Sequence, residues 1–315
     1  MTRSNGSSPN WARPRFATPR TPGRRHLADG IGRTAAMLGF ETRLGPGLMP
    51  WQNELNALAT ERDGAGRFVF RQAVVEVMRQ QGKSVDLLSM MVHRAFWRPG
   101  SVIAYTAQTH KESRKRLIDS WWPRIEQSAF GRRNLIDIRR GSGSEALLFQ
   151  NGSILELVSP TDVGGHGDTL DLGVIDEAWA HADDHIEQAM RPAMMTRDAQ
   201  LWVVSAAGTP KSEFFRSKVE DGRSRAQSGA TDTSCYIGYS FADDEDPADP
   251  EVWWRRMPAL GITVTEDTVK ADLDIMDFAE FRRAYGCQWP DVANPGWDVI
   301  GQDAWAATER PRGLL

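Results

Sequence analysis

Apolar residues along this chain follow two alternating patterns, and each pattern predicts a different kind of element. Short runs rich in β-branched and other apolar residues predict strands, and stretches with apolar residues at helical spacing predict helices between them. The predicted strands cover 67–77, 101–107, 170–177, 199–207 and 233–240, and the predicted helices begin near Trp51 and cover 83–96, 109–125 and 185–195. Strands that alternate with helices predict an α/β fold with a mostly parallel sheet flanked by helices.

One stretch predicts an antiparallel pair instead. Between residues 145 and 159, the dipeptide Asn151-Gly152 separates two apolar runs. Asn-Gly accepts the positive φ angles of a tight turn, so this spacing predicts a β-hairpin.

The first 44 residues differ from the rest of the chain in composition. Residues 1–25 are rich in Arg, Pro, Ser and Gly and nearly free of acidic residues. Such a composition predicts a disordered basic arm over residues 1–44, able to touch nucleic acid or a partner. A targeting peptide is disfavoured, because the prolines would break the amphipathic helix that such peptides need. The ordered domain is predicted over residues 45–285, followed by a linker over 286–315.

Size, charge and cysteine content narrow the protein class. The 315 residues are 40% apolar, enough for a sizeable core, and the formal net charge of -4 gives no global sign of nucleic-acid binding. Two cysteines, Cys235 and Cys287, are too few and too far apart for a disulfide framework or a cysteine zinc site. No apolar run approaches the roughly 18 residues of a membrane span, so we expect no membrane partner.

A candidate phosphate-binding loop lies between the strand 67–77 and the helix 83–96. It ends in Gly82-Lys83-Ser84, but Val77 stands where the usual pattern has its first glycine. In this pattern the glycine lets backbone N–H groups approach phosphate, Lys83 reaches the β and γ phosphates, and Ser84 ligates Mg²⁺. The strand-loop-helix context is the one that phosphate binding requires, because the helix presents its N-terminal N–H groups to the anion.

Two further strand ends carry candidate chemistry. The strand 170–177 ends in Asp176 and Glu177, which could hold the Mg²⁺ and deprotonate an attacking water, although the pair could also be a helix N-cap or chance. The strand 199–207 leads to Thr209, whose hydroxyl could sense the γ phosphate or belong to an ordinary turn. These features occur in the order that one nucleotide crevice demands.

Together these motifs resemble the ATPase domain of the large terminase subunit of tailed bacteriophages, over roughly residues 45–310. The resemblance implies an α/β P-loop NTPase of the additional-strand, catalytic-glutamate type. In that family the loop usually lacks the first glycine and carries an Arg-Gln pair, which Arg79 and Gln80 match. The matching segments are PWQNE (50–54), VMRQQGKS (77–84), VIAYTAQTHKESRKRL (102–117), LGVIDEAW (172–179) and VVSAAGTP (203–210).

The resemblance also implies individual roles. Gln52 matches the glutamine that recognises adenine, and the neighbouring Trp51 could stack on the base or belong to the core. Arg79 matches a loop arginine that stabilises charge on the γ phosphate. Thr209 matches the end of the motif that couples hydrolysis to movement. The implied ATP-binding residues are Gln52, Arg79, Gln80, Gln81, Gly82, Lys83 and Ser84, the metal ligands are Ser84 and Asp176, and the catalytic residues are Glu177, Arg79 and Lys83.

A basic cluster on the predicted helix 109–125 is a candidate DNA contact. A motor that moves double-stranded DNA should grip backbone phosphates rather than bases. One arginine of the cluster could instead reach a neighbouring subunit's nucleotide, and a solvated helix face explains the charges equally well. The cluster comprises Lys111, Arg114, Lys115 and Arg116.

The expected function is that of an ATPase motor subunit that uses ATP and Mg²⁺ to package double-stranded DNA. By resemblance its partners are a homo-oligomeric ring, a portal protein and a small terminase subunit, in the cytoplasm of a bacterial host. A nuclease domain is not expected, because Asp291, Asp298 and Asp303 lie in a segment too short for the required sheet. The alternatives are another helicase-like ATPase, which should carry a second motor-like domain, and a terminase remnant without turnover.

Overall fold

A computed structural model of the chain describes residues 12–134, 136–159 and 169–290. Within these ranges nine strands form one sheet in the order β1-β11-β4-β10-β9-β5-β8-β7-β6, and β2 and β3 form a separate hairpin. The strands are β1 (Phe16–Ala17), β2 (Glu41–Thr42), β3 (Gly45–Pro46), β4 (Gln72–Glu76), β5 (Val102–Thr106), β6 (Asp137–Arg139), β7 (Ala146–Leu148), β8 (Ile154–Leu157), β9 (Leu172–Asp176), β10 (Gln200–Ser205) and β11 (Ser234–Gly238).

The strands from β11 to β8 in this order pair in parallel, whereas β1, β7 and β6 pair antiparallel at the two sides. The antiparallel pair β7–β8 encloses the turn at Asn151-Gly152, where Gly152 has φ 83°, so the predicted hairpin is confirmed. Strand β10 lies between β4 and β9. This inserted strand is the feature that defines the additional-strand type of P-loop fold.

Helices cover both faces of the sheet. Side chains alternate along each strand, so Val75 and Val204 pack on the face that α1, α2 and α3 cover, while Val74 and Val203 pack on the face that α7 and α8 cover. The helices are α1 (Ala28–Met37), α2 (Pro50–Ala59), α3 (Lys83–Trp97), α4 (His110–Lys115), α5 (Trp122–Gln127), α6 (Ala129–Asn134), α7 (His185–Ala193), α8 (Glu213–Ser228), α9 (Pro250–Arg256), α10 (Glu266–Ile275) and α11 (Phe278–Gly286).

The predicted helix over 109–125 is present but not regular. Thr109 caps α4 by accepting a hydrogen bond from the Glu112 N–H, and a π-helical turn at Arg116–Trp121 joins α4 to α5. A π turn inserts an extra residue, so it rotates the residues that follow it relative to a regular helix.

The prediction of a disordered arm over residues 1–44 is wrong for the part that the structure describes. Strand β1 pairs with β11, and the Thr18 N–H donates to Tyr236 O at 2.9 Å. In α1, Ile31 and Ala35 are buried in contact with the domain. Composition misled the prediction because the Arg-rich and Pro-rich residues dominate 1–25, while the apolar stripe of α1 begins just after them.

The predicted linker 286–315 is described only to residue 290. Gln288 donates to Ala242 O at 2.7 Å and Trp289 Nε1 donates to Glu76 Oε1 at 2.7 Å, so this portion packs on the domain. Asp291, Asp298 and Asp303 lie outside the described residues. Among the helices of the described part, none is long and apolar enough to cross a membrane.

Candidate active site

The predicted phosphate loop runs from the end of β4 to the start of α3. Three of its carbonyl groups are held by side chains: Gln81 Nε2 donates to Arg79 O at 3.2 Å, Trp51 Nε1 to Gln81 O at 3.0 Å, and Gln52 Nε2 to Gly82 O at 2.8 Å. Holding the carbonyl groups fixes the peptide planes, so the loop is shaped before any ligand binds.

The N–H groups of the same loop form the binding surface. Within the described part of the chain, the backbone amides of residues 80–84 donate no hydrogen bond to protein. Successive free amides at the start of a 15-residue helix make an anion-binding concavity, which the positive end of the helix dipole strengthens. The loop therefore has the backbone chemistry of a phosphate site.

Two positions explain the loop's unusual sequence. Val77 is buried in the core, and its N–H donates to Ser205 O at 3.0 Å, so it continues the contact of β4 with β10. A glycine is not needed at Val77, because this backbone lies in the sheet rather than in the loop's turn. Gly82 does need to be glycine: its φ is 86°, and a Cβ there would lie 2.4 Å from Met49 Cε.

The structure brings Lys83, Asp176 and Glu177 together. Lys83 Nζ lies 3.0 Å from Asp176 Oδ1 and 2.7 Å from Glu177 Oε1. Strands β4 and β9 place these residues because both strands end at the same edge of the sheet, on either side of β10. Asp176 is fully buried and Lys83 is 13% exposed by side chain, so little water screens this cluster.

Burial and charge act in opposite directions on these groups. Burial disfavours both charged forms, yet the Lys83 ammonium and the Arg116 guanidinium hold the pKa of Asp176 below its usual value. Burial likewise opposes the charge of Lys83, but Asp176 and Glu177 outweigh it and raise the pKa of Lys83. Lys83 and Asp176 are therefore both ionised, and their opposite charges stabilise each other.

Glu177 is held in a strained position. Its φ is 52°, in the left-handed region that non-glycine residues seldom adopt, and Trp179 Nε1 donates to its Oε2 at 2.9 Å. The Trp179 N–H donates to Ser205 Oγ at 3.1 Å, so β10 anchors the residue that orients Glu177. Backbone strain of this kind concentrates at functional sites.

Arg79 lies at the rim of the same site. Its side chain pairs with Glu280 of α11 at 3.2 Å, and its guanidinium lies 5.9 Å from the centre of the Trp179 ring. Both partners of the ion pair are more than a third exposed, so the pair is weak and an incoming anion could compete for the arginine. Arg283 also faces the Trp179 ring and donates to Ala207 O at 2.7 Å.

Two cavities flank the loop. A cavity of about 370 Å³ is lined by Arg79, Lys115, Arg116, Glu177 and Trp179, and so faces the carboxylate side. Another, of about 570 Å³, lies on the other side, between α2, the loop and the segment from Thr263 to Tyr285. The positions fit a ligand with a phosphate chain over the loop, a nucleoside in the larger cavity and a reactive end in the smaller one.

Gln52 and Trp51 support the loop from α2. Gln52 is buried, with its Oε1 accepting from the Met49 N–H at 2.7 Å and its Nε2 bound to the loop, although it also lines the larger cavity. Trp51 is buried and meets the Tyr239 ring edge-on, so of its two proposed roles the structure favours the core. Gln80 is exposed and Gln81 Oε1 accepts from the Ala259 N–H at 2.8 Å.

Thr209 lies apart from the loop. Its backbone N–H donates to Ser212 Oγ at 3.0 Å, and its hydroxyl oxygen accepts from the Lys211 N–H at 3.3 Å at the start of α8. A cavity that Thr209 shares with Glu280 and Arg283 connects it to the carboxylate that pairs with Arg79 and to the second arginine that pairs with that carboxylate. Its coupling role stays a prediction.

The four residues of the basic cluster do not share one surface. Lys111, Arg114 and Lys115 are exposed, and Arg114 pairs with the buried Glu145 at 2.9 Å. Arg116 points inward and binds Asp176 Oδ2, so its predicted role as a solvent-facing DNA contact is corrected. Helical spacing is the physical reason, because Arg116 lies three residues after the buried Ser113 and directly before the buried Leu117. It therefore borders the buried face of this helical segment rather than its exposed face.

Ser84 and Asp176 fit a magnesium site that is completed by phosphate. Ser84 is the second residue of α3, next to Lys83, and Asp176 ends β9 beside it. Across the described residues, no group of three or more His, Cys, Asp or Glu side chains is placed to hold a metal ion. Mg²⁺ commonly binds through one or two protein oxygens plus substrate phosphates, and Ser84 and Asp176 could supply the protein part of such a donor set.

No protein-family model and no curated protein matches this sequence. Solved structures do match. The crystal structure of the HK97 bacteriophage large terminase has a TM-score of 0.68 at 17% identity, over 84% of this chain and 56% of that chain. The fold is that of a phage large-terminase ATPase domain. This confirms the P-loop NTPase fold class and the resemblance on which it was predicted.

Two further terminase structures support this fold. The ATPase domain of a Thermus phage large terminase, in a mutant form, has a TM-score of 0.51 at 18% identity, over 77% of this chain and 100% of that chain. The large terminase of a thermophilic bacteriophage in complex with ADP has a TM-score of 0.51 at 11% identity, over 75% and 52%. The chain thus spans about half the length of the HK97 protein and the ADP-bound protein.

Sequence reasoning missed several side chains of the site. Trp179, Tyr105 and Arg283 received no role, although Trp179 follows Glu177 by only two residues and could have been suspected from that spacing. Glu280 could not be found in this way, because it is about 200 residues from Arg79 in sequence and only the folded chain brings them together.

Proposed function

We propose that this chain is an ATP-hydrolysing motor domain of the large-terminase type, which drives double-stranded DNA into a capsid. The observation that supports it most is the meeting of the free amides of residues 80–84 with Lys83, Asp176 and Glu177 at the sheet edge. Phosphate recognition, a metal-holding carboxylate and a base in one crevice are the parts that nucleoside triphosphate hydrolysis requires.

Nucleotide binding begins with the phosphate chain. The amides of residues 80–84 donate to its oxygens, and Lys83 leaves the two carboxylates to pair with the β and γ phosphates. Gln52 lies where the larger cavity meets the loop, and we assign it the adenine edge. Gln80 and Gln81 shape the loop around the phosphates.

Ser84 and Asp176 would hold Mg²⁺, which when bound neutralises charge on the phosphate oxygens. Asp176 is suited to this because it is buried, ionised and aimed at the loop.

The departure of Lys83 frees Glu177 to act as the base. Glu177 takes a proton from water as the water oxygen bonds to the γ phosphorus, and the bond from that phosphorus to the bridging oxygen of ADP breaks. Trp179 keeps the carboxylate in position during this exchange. Arg79, released from its exposed pair with Glu280, stabilises the charge that develops on the γ phosphate.

Coupling and partners follow from the same proposal. Thr209 would relay the state of the site to α8, through the cavity that it shares with Arg283. Lys111, Arg114 and Lys115 are exposed on α4 and would contact backbone phosphates of double-stranded DNA. A ring of copies on a portal protein, with a small terminase subunit, would work in the cytoplasm of a bacterial host.

Steady-state ATP hydrolysis by the purified chain, with and without double-stranded DNA, tests the proposal. Lys83→Ala should abolish phosphate binding and Glu177→Gln should abolish turnover while ADP still binds, a difference that binding of a fluorescent ADP would detect. We expect DNA to stimulate turnover of the unaltered chain.

The proposed ATPase activity is wrong if the unaltered chain binds fluorescent ADP but hydrolyses ATP no faster than Lys83→Ala and Glu177→Gln. That outcome would favour a terminase remnant without turnover. If the unaltered chain binds neither ATP nor ADP, the proposed nucleotide site is wrong as well.

A further inference from the structure

Asp176 binds a second cation that the proposed mechanism does not use. Arg116 Nη1 contacts Asp176 Oδ2, and the same nitrogen donates to the Tyr105 hydroxyl at 2.8 Å. The Tyr105 hydroxyl in turn donates to Asp176 Oδ2 at 3.0 Å. These three groups form a closed triangle on the side of the carboxylate that faces away from Lys83.

The fold places Arg116 in this position specifically. Arg116 begins the π-helical turn between α4 and α5, and Trp121, at the end of that turn, packs against the Tyr105 ring at 4.8 Å between centres. Insertions of this kind occur often at functional sites. The guanidinium is 26% exposed and lines the smaller cavity together with Arg79 and Glu177.

All strong acceptor positions of Asp176 are occupied. Oδ1 accepts from the Glu177 N–H at 2.8 Å and contacts Lys83 Nζ, while Oδ2 is bound by Arg116 and Tyr105. A divalent cation can reach this carboxylate only by displacing one of the two bound cations. Phosphates attract Lys83 away when a nucleotide binds, but a metal ion that arrives alone meets both positive charges.

We propose that Arg116 is a positioning residue that competes with divalent metal for Asp176, so that the carboxylate accepts a metal only together with the nucleotide. The inference rests on the proposed function, in which Asp176 is the metal-holding carboxylate. Arg116 suits the task because a guanidinium keeps its charge at every physiological pH, and a bound cation blocks the metal without filling the phosphate site.

The test is a titration of the nucleotide-free full chain with Mn²⁺ alone, in which electron spin resonance measures the free ion. Arg116→Gln should bind Mn²⁺ about tenfold more tightly than the unaltered chain, because the positive guanidinium that repels the metal ion is no longer bound to the carboxylate. Arg116→Lys should restore weak binding. Tyr105→Phe, which removes only the hydroxyl shared with Arg116, should give a smaller gain.

Two controls separate this effect from general charge. Lys115→Gln removes the same charge from the neighbouring residue, which lines the same cavity but does not contact Asp176, and it should leave Mn²⁺ affinity close to that of the unaltered chain. Adding Asp176→Asn to Arg116→Gln should abolish the gain, because Asp176 is the carboxylate that the arginine releases. A gain that survived would come from other acidic residues of the surface. Circular dichroism of each variant shows whether it is folded. If Arg116→Gln is unfolded, the Mn²⁺ affinity of Tyr105→Phe is compared with that of the unaltered chain instead.

Equal Mn²⁺ affinity in the unaltered chain and Arg116→Gln, an equal gain in Lys115→Gln, or a gain that survives Asp176→Asn would each overturn the competition. Binding of fluorescent ADP in the absence of metal tests the proposed nucleotide site independently of the Mn²⁺ titration. If ADP does not bind but Arg116→Gln still gains a Mn²⁺ site, the competition stands and the nucleotide function falls.

Discussion

At the residue scale, the indole of Trp179 is the contact that most directly controls the proposed base. Trp179→Phe removes the N–H that binds Glu177 Oε2 and keeps an aromatic face toward Arg79 and Arg283. A hydrogen bond to a charged group contributes about 1.5–3 kcal/mol, so we expect kcat to fall roughly ten- to hundredfold. Stopped-flow and steady-state ATPase assays would measure this, and fluorescent ADP binding should change little.

Trp254→Phe is the matched control for Trp179→Phe. Trp254 Nε1 also donates to a glutamate, Glu266 at 2.8 Å, but this pair lies on the exposed surface of α9 and α10. Its loss should leave kcat unchanged. An equal fall in both variants would show that Trp179 acts through general stability rather than through Glu177.

The buried carboxyl group of Asp86, in the first turn of α3, should make the stability of the protein depend on pH. Burial raises the pKa of Asp86 to about 7, against the opposing effect of its hydrogen bond from Asn56 Nδ2 at 2.6 Å. The Oδ1 of Asn56 has no hydrogen-bond partner among the described residues, and a protonated Asp86 beside it would offer one. The folded state therefore favours the neutral carboxyl.

The sign of the effect follows from linkage. A raised pKa means that the folded state binds this proton more tightly, so stability should fall as pH rises from about 4 to about 7 and stay low above it. Asp86→Asn should remove this slope and stabilise the protein at pH 8 by at most about 4 kcal/mol, the equivalent of the shift from 3.8 to about 7. Urea unfolding at pH 5 and pH 8 measures it; an unchanged slope would contradict it.

At the element scale, the phosphate loop depends on its backbone shape, and Gly82 tests that dependence. Gly82→Ala should cost about 1–2 kcal/mol of stability for its positive φ, as for any left-handed alanine. It should also displace Met49 and Gln52, because the new Cβ would lie 2.4 Å from Met49 Cε and 3.0 Å from Gln52 Nε2. Fluorescent ADP should then bind more than tenfold more weakly, by our estimate of that displacement.

Gly229→Ala supplies the control for this element. Gly229 ends α8 with φ 73°, and a Cβ there would meet nothing within 4 Å. It carries the same backbone cost without a collision, so thermal denaturation should show a similar loss and ADP affinity should be unchanged. Unaltered ADP affinity in Gly82→Ala would mean that the loop tolerates the displacement.

The same elements show what a sequence can and cannot predict here. Lys83, Asp176 and Glu177 were predictable because each sits at the end of a strand or the start of a helix whose apolar pattern is strong. Arg116 was misplaced, because its charge grouped it with the exposed Lys115, whereas its spacing from the buried Ser113 puts it beside the buried face of the helix. The ion pair between Arg79 and Glu280 of α11 joins residues that are far apart in sequence, so no local sequence pattern could predict it.

At the scale of the whole molecule, the N-terminal segment belongs to the domain that carries the site. Strand β1 extends the sheet beyond β11, and α1 lies against α2 and α3, the two helices that support the phosphate loop. Arg15 Nη1 donates to Phe241 O at 2.8 Å, which adds a contact across the same edge. The apolar positions of α1 thus complete the core beneath the loop.

A chain that begins at residue 45, the predicted domain start, should therefore fail to fold stably. It lacks the buried side chains Ile31, Ala35 and Leu38 and uncovers the face of α3 on which they pack. Each large apolar side chain contributes about 1.5–3 kcal/mol, so Ile31 and Leu38 together account for about 3–6 kcal/mol, which reaches the lower end of the roughly 5–15 kcal/mol that stabilises a typical domain. A chain that begins at residue 12 keeps every described element and is the control. Circular dichroism melts compare the two, and a cooperative transition of the shorter chain near that of the control would show that α1 is dispensable.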